Sequence, residues 1–254
     1  MKTITKLLLL LLLAQPYIII AGTIDPNISD SKYIEYGKKF ECILKLCGVY
    51  KDGGLFCASA VAISDTCVLT AAHVVENAIT AKVVDSHDKE FIIDDIIIHP
   101  EYDEMKLNGN DIAVMFTKEP LKISYYPELY EEEDEVGKVC ALSGYGLTGT
   151  FNTGSVKSDD RRRAGSNIID EIDSELLICS PSRGSNDKRT QLEFLICSGD
   201  SGGGLFIDKK IAGINSCVFA TDKKPNSSYT DTSGHTRISK HKKWIKSHLV
   251  FNLK

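Results

Sequence analysis

The 254-residue sequence has no Cys-x-x-Cys pair and no histidine-rich cluster, although it holds 8 cysteines and 6 histidines. Zinc sites draw their ligands from close-spaced groups of that kind, so no metal is expected, and nothing in the sequence asks for another cofactor. A basic excess is also missing. With 30 Lys and Arg against 35 Asp and Glu, the net charge is -5 and the pI near 5.7, which gives nucleic acid or an anionic membrane no electrostatic hold. Long apolar runs are confined to the N-terminus, where Leu7 to Ala14 is broken by Gln15 and Pro16 before a second apolar group ending at Ala21 and Gly22. This is short for a membrane span of about 20 residues. With Lys2 and Lys6 in front, it reads as an export signal over residues 1–22, removed near Ala21 or Gly22. The chain is therefore expected to be secreted, to the cell exterior or a periplasm, with no stable membrane association once the signal is gone. In such a compartment the cysteines point to disulfides, and 8 of them allow about 105 full pairings.

After the signal, Thr23 to Lys32 is polar and is expected to be loosely ordered. From Phe40 onward short apolar runs alternate with turn residues, as in Leu55 to Ile63, Cys67 to Ala72, Phe91 to Ile98 and Ile112 to Thr117. Many short strands at this spacing predict an all-β barrel or sandwich. Pro120 to Val136, with its acidic run from Glu128, has the composition of a solvated connector between two such units. Strand-like runs then resume, interrupted from Thr148 to Ser166 by a polar stretch expected to be an exposed loop. Ser239 to Val250 places Trp244, Ile245 and Leu249 on one side and lysines on the other, which predicts an amphipathic terminal helix.

Three stretches carry chemistry. Cys197 to Leu205, reading Cys-Ser-Gly-Asp-Ser-Gly-Gly-Gly-Leu, sets a serine among glycines. A substrate carbonyl can approach both the Ser201 hydroxyl and the N–H groups of Gly199 and Ser201, which suits stabilisation of a developing oxyanion. A hydroxyl nucleophile needs a base, and the base needs an acceptor that fixes its tautomer. Leu69-Thr70-Ala71-Ala72-His73 and Asn110-Asp111-Ile112-Ala113-Val114-Met115 offer His73 and Asp111 for those two roles.

With Thr70-Ala71-Ala72-His73, Asp111-Ile112-Ala113 and Gly199-Asp200-Ser201-Gly202-Gly203 in that order, the chain from about Tyr33 to Leu249 resembles the trypsin-like (chymotrypsin-fold) serine proteases. The resemblance implies two six-stranded antiparallel β-barrels, over residues 33–127 and 136–254, with the active site between them and a C-terminal helix. It implies a serine endopeptidase with a His73/Asp111/Ser201 triad, an oxyanion hole at Gly199 and Ser201, and protein or peptide substrates; a monomer is expected. It places Leu195 at the base of the pocket that receives the side chain before the cut, Ser216, Cys217 and Val218 on one wall, and His235 on the other. Leu195 in place of an aspartate argues against arginine or lysine there and for neutral or apolar side chains, while His235 leaves room for glutamate. The resemblance also implies the disulfides Cys57–Cys67 and Cys197–Cys217, and leaves Cys42, Cys47, Cys140 and Cys179 open. Family members activated by cleavage pair a freed amine with the aspartate beside the nucleophile, here Asp200. No Arg-Ile-Val-Gly-Gly equivalent precedes Cys57, and a cut after Lys32, freeing Tyr33, is the substitute the sequence offers. Two other classes of function stand beside this one. One is a catalytically silent homologue acting as a binding module, which would be expected to lack a triad residue. The other is an esterase or lipase, for which the glycines around Ser201 lack the βαβ setting.

Overall fold

Strands β4 (Cys67–Thr70) and β7 (Ala113–Thr117) are buried along their whole length and read as unbroken apolar runs, because they are covered on both faces. They are two adjacent walls of a closed six-stranded antiparallel barrel. The computed structural model describes residues 22–106, 109–157, 159–182 and 189–251. Before the first barrel come β1 (Thr23–Ile24) and α1 (Asp30–Gly37). The barrel itself adds β2 (Ile43–Tyr50), β3 (Leu55–Ala62), β5 (Ala78–Val84) and β6 (Glu90–Ile98), with a one-turn helix α2 (Ala72–Val75) after β4.

A second closed antiparallel barrel is built from β8 (Val139–Gly144), β11 (Arg163–Asp173), β12 (Leu176–Cys179), β14 (Gly204–Ile207), β15 (Lys210–Ala220) and β16 (Asp231–Arg237). The short strands β9 (Thr148–Thr150), β10 (Gly154–Lys157) and β13 (Phe194–Leu195) join β1 in a small side sheet ordered β10-β9-β1-β13. Helix α3 (Ile238–Phe251) closes the chain. Closing both sheets removes the exposed strand edges that would otherwise pair with other chains.

Helix α3 buries Ile245 and lays Trp244 and Leu249 on the apolar core, as its sequence pattern predicts. Three expectations are corrected. Thr23 to Lys32 is ordered: Thr23 and Ile24 are buried strand residues, and Asp30 begins a helix. That helix is held by Arg163, whose fully buried guanidinium meets both carboxylate oxygens of Asp30 at 2.6 and 2.7 Å and both of Asp159 at 2.8 and 2.6 Å. The same contacts overturn the open loop expected from Thr148 to Ser166, which contains the hairpin of β9 and β10 and the start of β11. Nor is the connector simply solvated. Glu135, fully buried, takes both its oxygens to Arg237 at 2.8 Å and accepts the Ser239 hydroxyl at 2.7 Å. Its acidic neighbours meet the lysines of α3, Glu131 with Lys246 at 2.6 Å and Glu133 with Lys240 at 3.3 Å.

Disulfides form where strands bring cysteines opposite each other. Cys47 on β2 is the register partner of Cys57 on β3, and these two are bonded. The expected Cys57–Cys67 bridge is therefore excluded. Since Val61 faces Leu69 and Ala62 faces Val68, Cys67 lies at the far end of β3 from Cys57. The expected Cys197–Cys217 bridge is absent as well. The Cys197 sulfur lies against the Leu147 carbonyl, whereas that of Cys217 packs on Gly234 of β16.

Candidate active site

Because β4 and β7 run antiparallel with Thr70 opposite Ala113, the chain leaving β4 and the chain entering β7 meet at the same end of the first barrel. His73 lies just past that end and Asp111 just before it. The His73 amide donates to Asp111 Oδ1 at 2.9 Å, and the ring Nδ1 lies 2.7 Å from Oδ2. Asp111 Oδ2 also accepts the Ser216 hydroxyl at 2.6 Å, and the Asp111 carbonyl accepts Thr236 Oγ1–H at 2.9 Å. Burial would raise the Asp111 carboxyl, but the hydrogen bonds and charge of His73, with the bond from Ser216, outweigh it and hold the group below the usual carboxylate range. An ionised Asp111 fixes the proton on Nδ1, so Nε2 presents its lone pair.

Ser201 comes from the other barrel, on the turn between β13 and β14. Its carbonyl accepts the Ser59 amide at 2.9 Å, and the Ser59 hydroxyl donates to the Gly199 carbonyl at 2.9 Å. The next residue, Gly202, has φ +81°, and a Cβ there would lie 2.0 Å from Thr70 Oγ1 and 3.1 Å from the Ala71 amide nitrogen. Glycine is needed at that position, since only a bare backbone lets the turn bearing Ser201 lie against the segment leading into His73. Among the described residues no hydrogen bond joins the Ser201 hydroxyl to the His73 ring; in free enzymes such bonds are commonly long and tighten with substrate.

The Ser198 carbonyl is taken by the Leu147 amide at 2.7 Å. In a trans peptide the following N–H points the opposite way, so the Gly199 N–H is turned from Leu147. Among the described residues neither the Gly199 nor the Ser201 N–H has an acceptor, while Asp200, Gly202 and Gly203, in the same turn, all donate.

Asp200 is fully buried. Burial raises its carboxyl to about 7 against the pull of the Cys197, Gly146 and Gly22 amides. The Gly22 N–H donates to Oδ2 at 2.8 Å. Tyr33, the alternative amine, is fully buried inside α1, which removes the cut after Lys32 as a source of that contact. The proposed export signal, up to Ala21, lies outside the described residues.

Of the residues expected to shape the substrate pocket, Ser216 and Cys217 line a hollow of about 270 Å³ together with His73, Tyr102, Asp111 and Leu176. Leu195 and His235 are fully buried, and Val218 packs on the second core. The His235 ring is bonded at both nitrogens, to Asn215 Oδ1 at 2.9 Å and Ser233 Oγ at 3.0 Å. Burial pushes it down to about 3, so the ring is neutral. It has no positive charge with which to meet a glutamate. Ser59, Thr236 and His241, which donates to the Gly109 carbonyl at 2.8 Å, also hold the site, and no local sequence signal marks them.

This fold is that of the trypsin-like serine proteases. The family model for trypsin matches residues 46–245, more than half of the sequence, and the chain belongs to that family. Among curated proteins it is 25% identical over 161 residues to kallikrein-1E2 of Equus caballus, covering 59% of this chain and 56% of that protein. It is 27% identical over 185 residues to trypsin zeta of Drosophila erecta, covering 61% and 64%. The matches thus span less than two thirds of these relatives' own length. Among solved structures, HL collagenase superposes with a TM-score of 0.68 at 18% identity, over 83% of this chain and 94% of that one. Neuropsin, a serine protease expressed in the limbic system of mouse brain, superposes with 0.64 at 21%, over 83% and 95%. At these identities the structures speak to the fold. Among the described residues no helix is long and apolar enough to cross a membrane.

Proposed function

We propose that this protein is a secreted serine endopeptidase that acts, as a monomer, on protein or peptide substrates. Ser201 Oγ attacks the scissile carbonyl while His73 Nε2 takes its proton. The carbonyl oxygen becomes an oxyanion held by the Gly199 and Ser201 amides. As the C–N bond breaks, His73 returns the proton to the leaving amine, and water then repeats the sequence on the acyl-enzyme. Asp111 stays ionised and steadies the imidazolium. The observation that carries this reading is the pair of unclaimed amide N–H groups on the turn that bears Ser201.

The side chain preceding the cut is expected to be neutral, since neither Leu195 nor the neutral His235 supplies a charge for a charged one. Removal of the export signal between Ala21 and Gly22 would convert the Gly22 N–H at Asp200 into an α-amine, so that the same cut both exports and completes the enzyme. Covalent labelling by a fluorophosphonate probe, with loss of labelling and of peptide cleavage in Ser201→Ala, is the expected outcome. An unlabelled, correctly folded wild-type protein would return the chain to the class of silent binding homologues.

A further inference from the structure

The turn that carries Ser201 belongs to the second barrel, yet two of its carbonyls are held by one residue of the first. Ser59 on β3 donates its amide to the Ser201 carbonyl and its hydroxyl to the Gly199 carbonyl, both at 2.9 Å. The same hydroxyl accepts the Tyr145 amide at 2.9 Å, and the Ser59 carbonyl accepts the Thr70 hydroxyl at 2.9 Å, on the segment leading into His73. Ser59 is fully buried, so bulk water does not compete for these bonds.

The peptide joining Gly199 to Asp200 lies between the two unclaimed amides, those of Gly199 and Ser201. Its plane is held at one end within the turn, where the Asp200 amide donates to the Cys197 carbonyl at 2.9 Å, and at the other end by the Ser59 hydroxyl. The plane before it is held through the Ser198 carbonyl by the Leu147 amide. Gly199, between the two planes, has φ +88°, where a bare backbone brings little preference of its own. The direction of its N–H therefore follows from the partners on either side.

We propose that Ser59 is a positioning residue for the oxyanion hole: its hydroxyl, reaching over from the first barrel, sets the angle at which the Gly199 and Ser201 N–H groups converge on the reacting carbonyl oxygen. The proposal rests on the proteolytic reading above. Without the hydroxyl, the Gly199 carbonyl and the Tyr145 amide each lose a buried partner, which is unfavourable enough to turn the peptide toward another one. The two flanking N–H groups shift with it. A hole works only when its donors stand about 2.7–3.1 Å from the place where the oxyanion forms. A small turn thus weakens the transition state while the contacts that hold the rest of the substrate stay as they were.

The test compares wild type with Ser59→Ala and with Ser59→Thr, which keeps the hydroxyl. In Ser59→Ala, kcat on a peptide amide is expected to fall by about ten- to a hundredfold, short of the loss for deleting a hole donor outright. The inhibition constant of a peptidyl trifluoromethyl ketone, whose hemiketal oxygen stands in for the oxyanion, rises in step with the fall in kcat/KM. Affinity for the uncleaved peptide, measured in Ser201→Ala with and without Ser59→Ala, stays within about twofold, and Ser59→Thr restores kcat. An unchanged kcat in Ser59→Ala, or a ketone constant that does not follow kcat/KM, would overturn the proposal. So would an equal loss of affinity for the uncleaved peptide, which would assign Ser59 to the shape of the cleft as a whole. Should Ser59→Ala not fold, Ser59→Cys fills the same space with a poor donor and gives the same readings. Fluorophosphonate labelling of the wild type reports separately on the protease assignment. If labelling fails, the amide chemical shift of Gly199, expected to move in Ser59→Ala and to return in Ser59→Thr, still decides the positioning; an unmoved shift would overturn it.

Discussion

Asp111 accepts the amide and ring N–H of His73, the Ser216 hydroxyl and, on its carbonyl, the Thr236 hydroxyl. Replacing the carboxylate by an amide puts a donor where an acceptor is required and turns the imidazole to the wrong tautomer. For Asp111→Asn, turnover of a peptide substrate is expected to fall by about four orders of magnitude with little change in thermal stability. His235 shows the opposite use of a histidine. It is held neutral, with its pKa pushed down to about 3, whereas in the unfolded chain it takes a proton near pH 6.5. The unfolded state thus binds the extra proton between those values, and His235 contributes stability above pH 6.5 that is lost as pH falls toward 3, in total of the order of 5 kcal/mol. Denaturant titrations at pH 7 and pH 4 are expected to show a smaller acid loss in His235→Asn than in wild type. The neighbourhoods of His73, Asp111 and Ser201 could be read from sequence because each is a short contiguous motif. Ser216 was visible only as a wall residue, and the burial of His235 depends on Asn215 and Ser233 closing round it, which no spacing reveals.

Among the elements, β1 is only two residues long, yet it links three parts of the molecule. Thr23 and Ile24 pair with Leu195 and Phe194 of β13 on one side and with Gly149 and Thr150 of β9 on the other. Gly22, directly before it, is thereby held at Asp200. Any residue left ahead of Gly22 keeps its nitrogen an uncharged amide, and Asp200 then ionises only near pH 7. In the unfolded chain Asp200 ionises near pH 3.9. A folded-state value raised in this way gives stability that is complete below about pH 4 and lost as pH rises through 7, of the order of 4 kcal/mol. In a chain beginning at Gly22, an ammonium group beside the carboxylate keeps it ionised and removes most of that slope. Denaturation midpoints from pH 4 to pH 8, compared between the two forms, are expected to diverge as pH rises. Neither β1 nor α1 was legible in sequence, because Thr23 to Lys32 is polar. Its order comes from distant partners, above all the buried Arg163 that holds Asp30.

Over the whole molecule, the two barrels follow from short alternating runs and were anticipated through the motifs that lie between them. The acidic connector and the lysines of α3 were each legible as charge runs facing water, but their pairing with one another was not, since more than a hundred residues separate Glu131 from Lys246. The first described strand is built into a sheet with β9 and β13, which belong to the second half, while α3 sets Ile245 and Trp244 on a core shared by both barrels, with Trp244 edge-on to His99. The outermost described elements thus each reach a part of the molecule remote from them in sequence, like the two ends of a belt passed through opposite loops. Truncation before Trp244 is expected to release hydrogen-exchange protection around His99, just after β6, together with β15, the strand on which α3 packs.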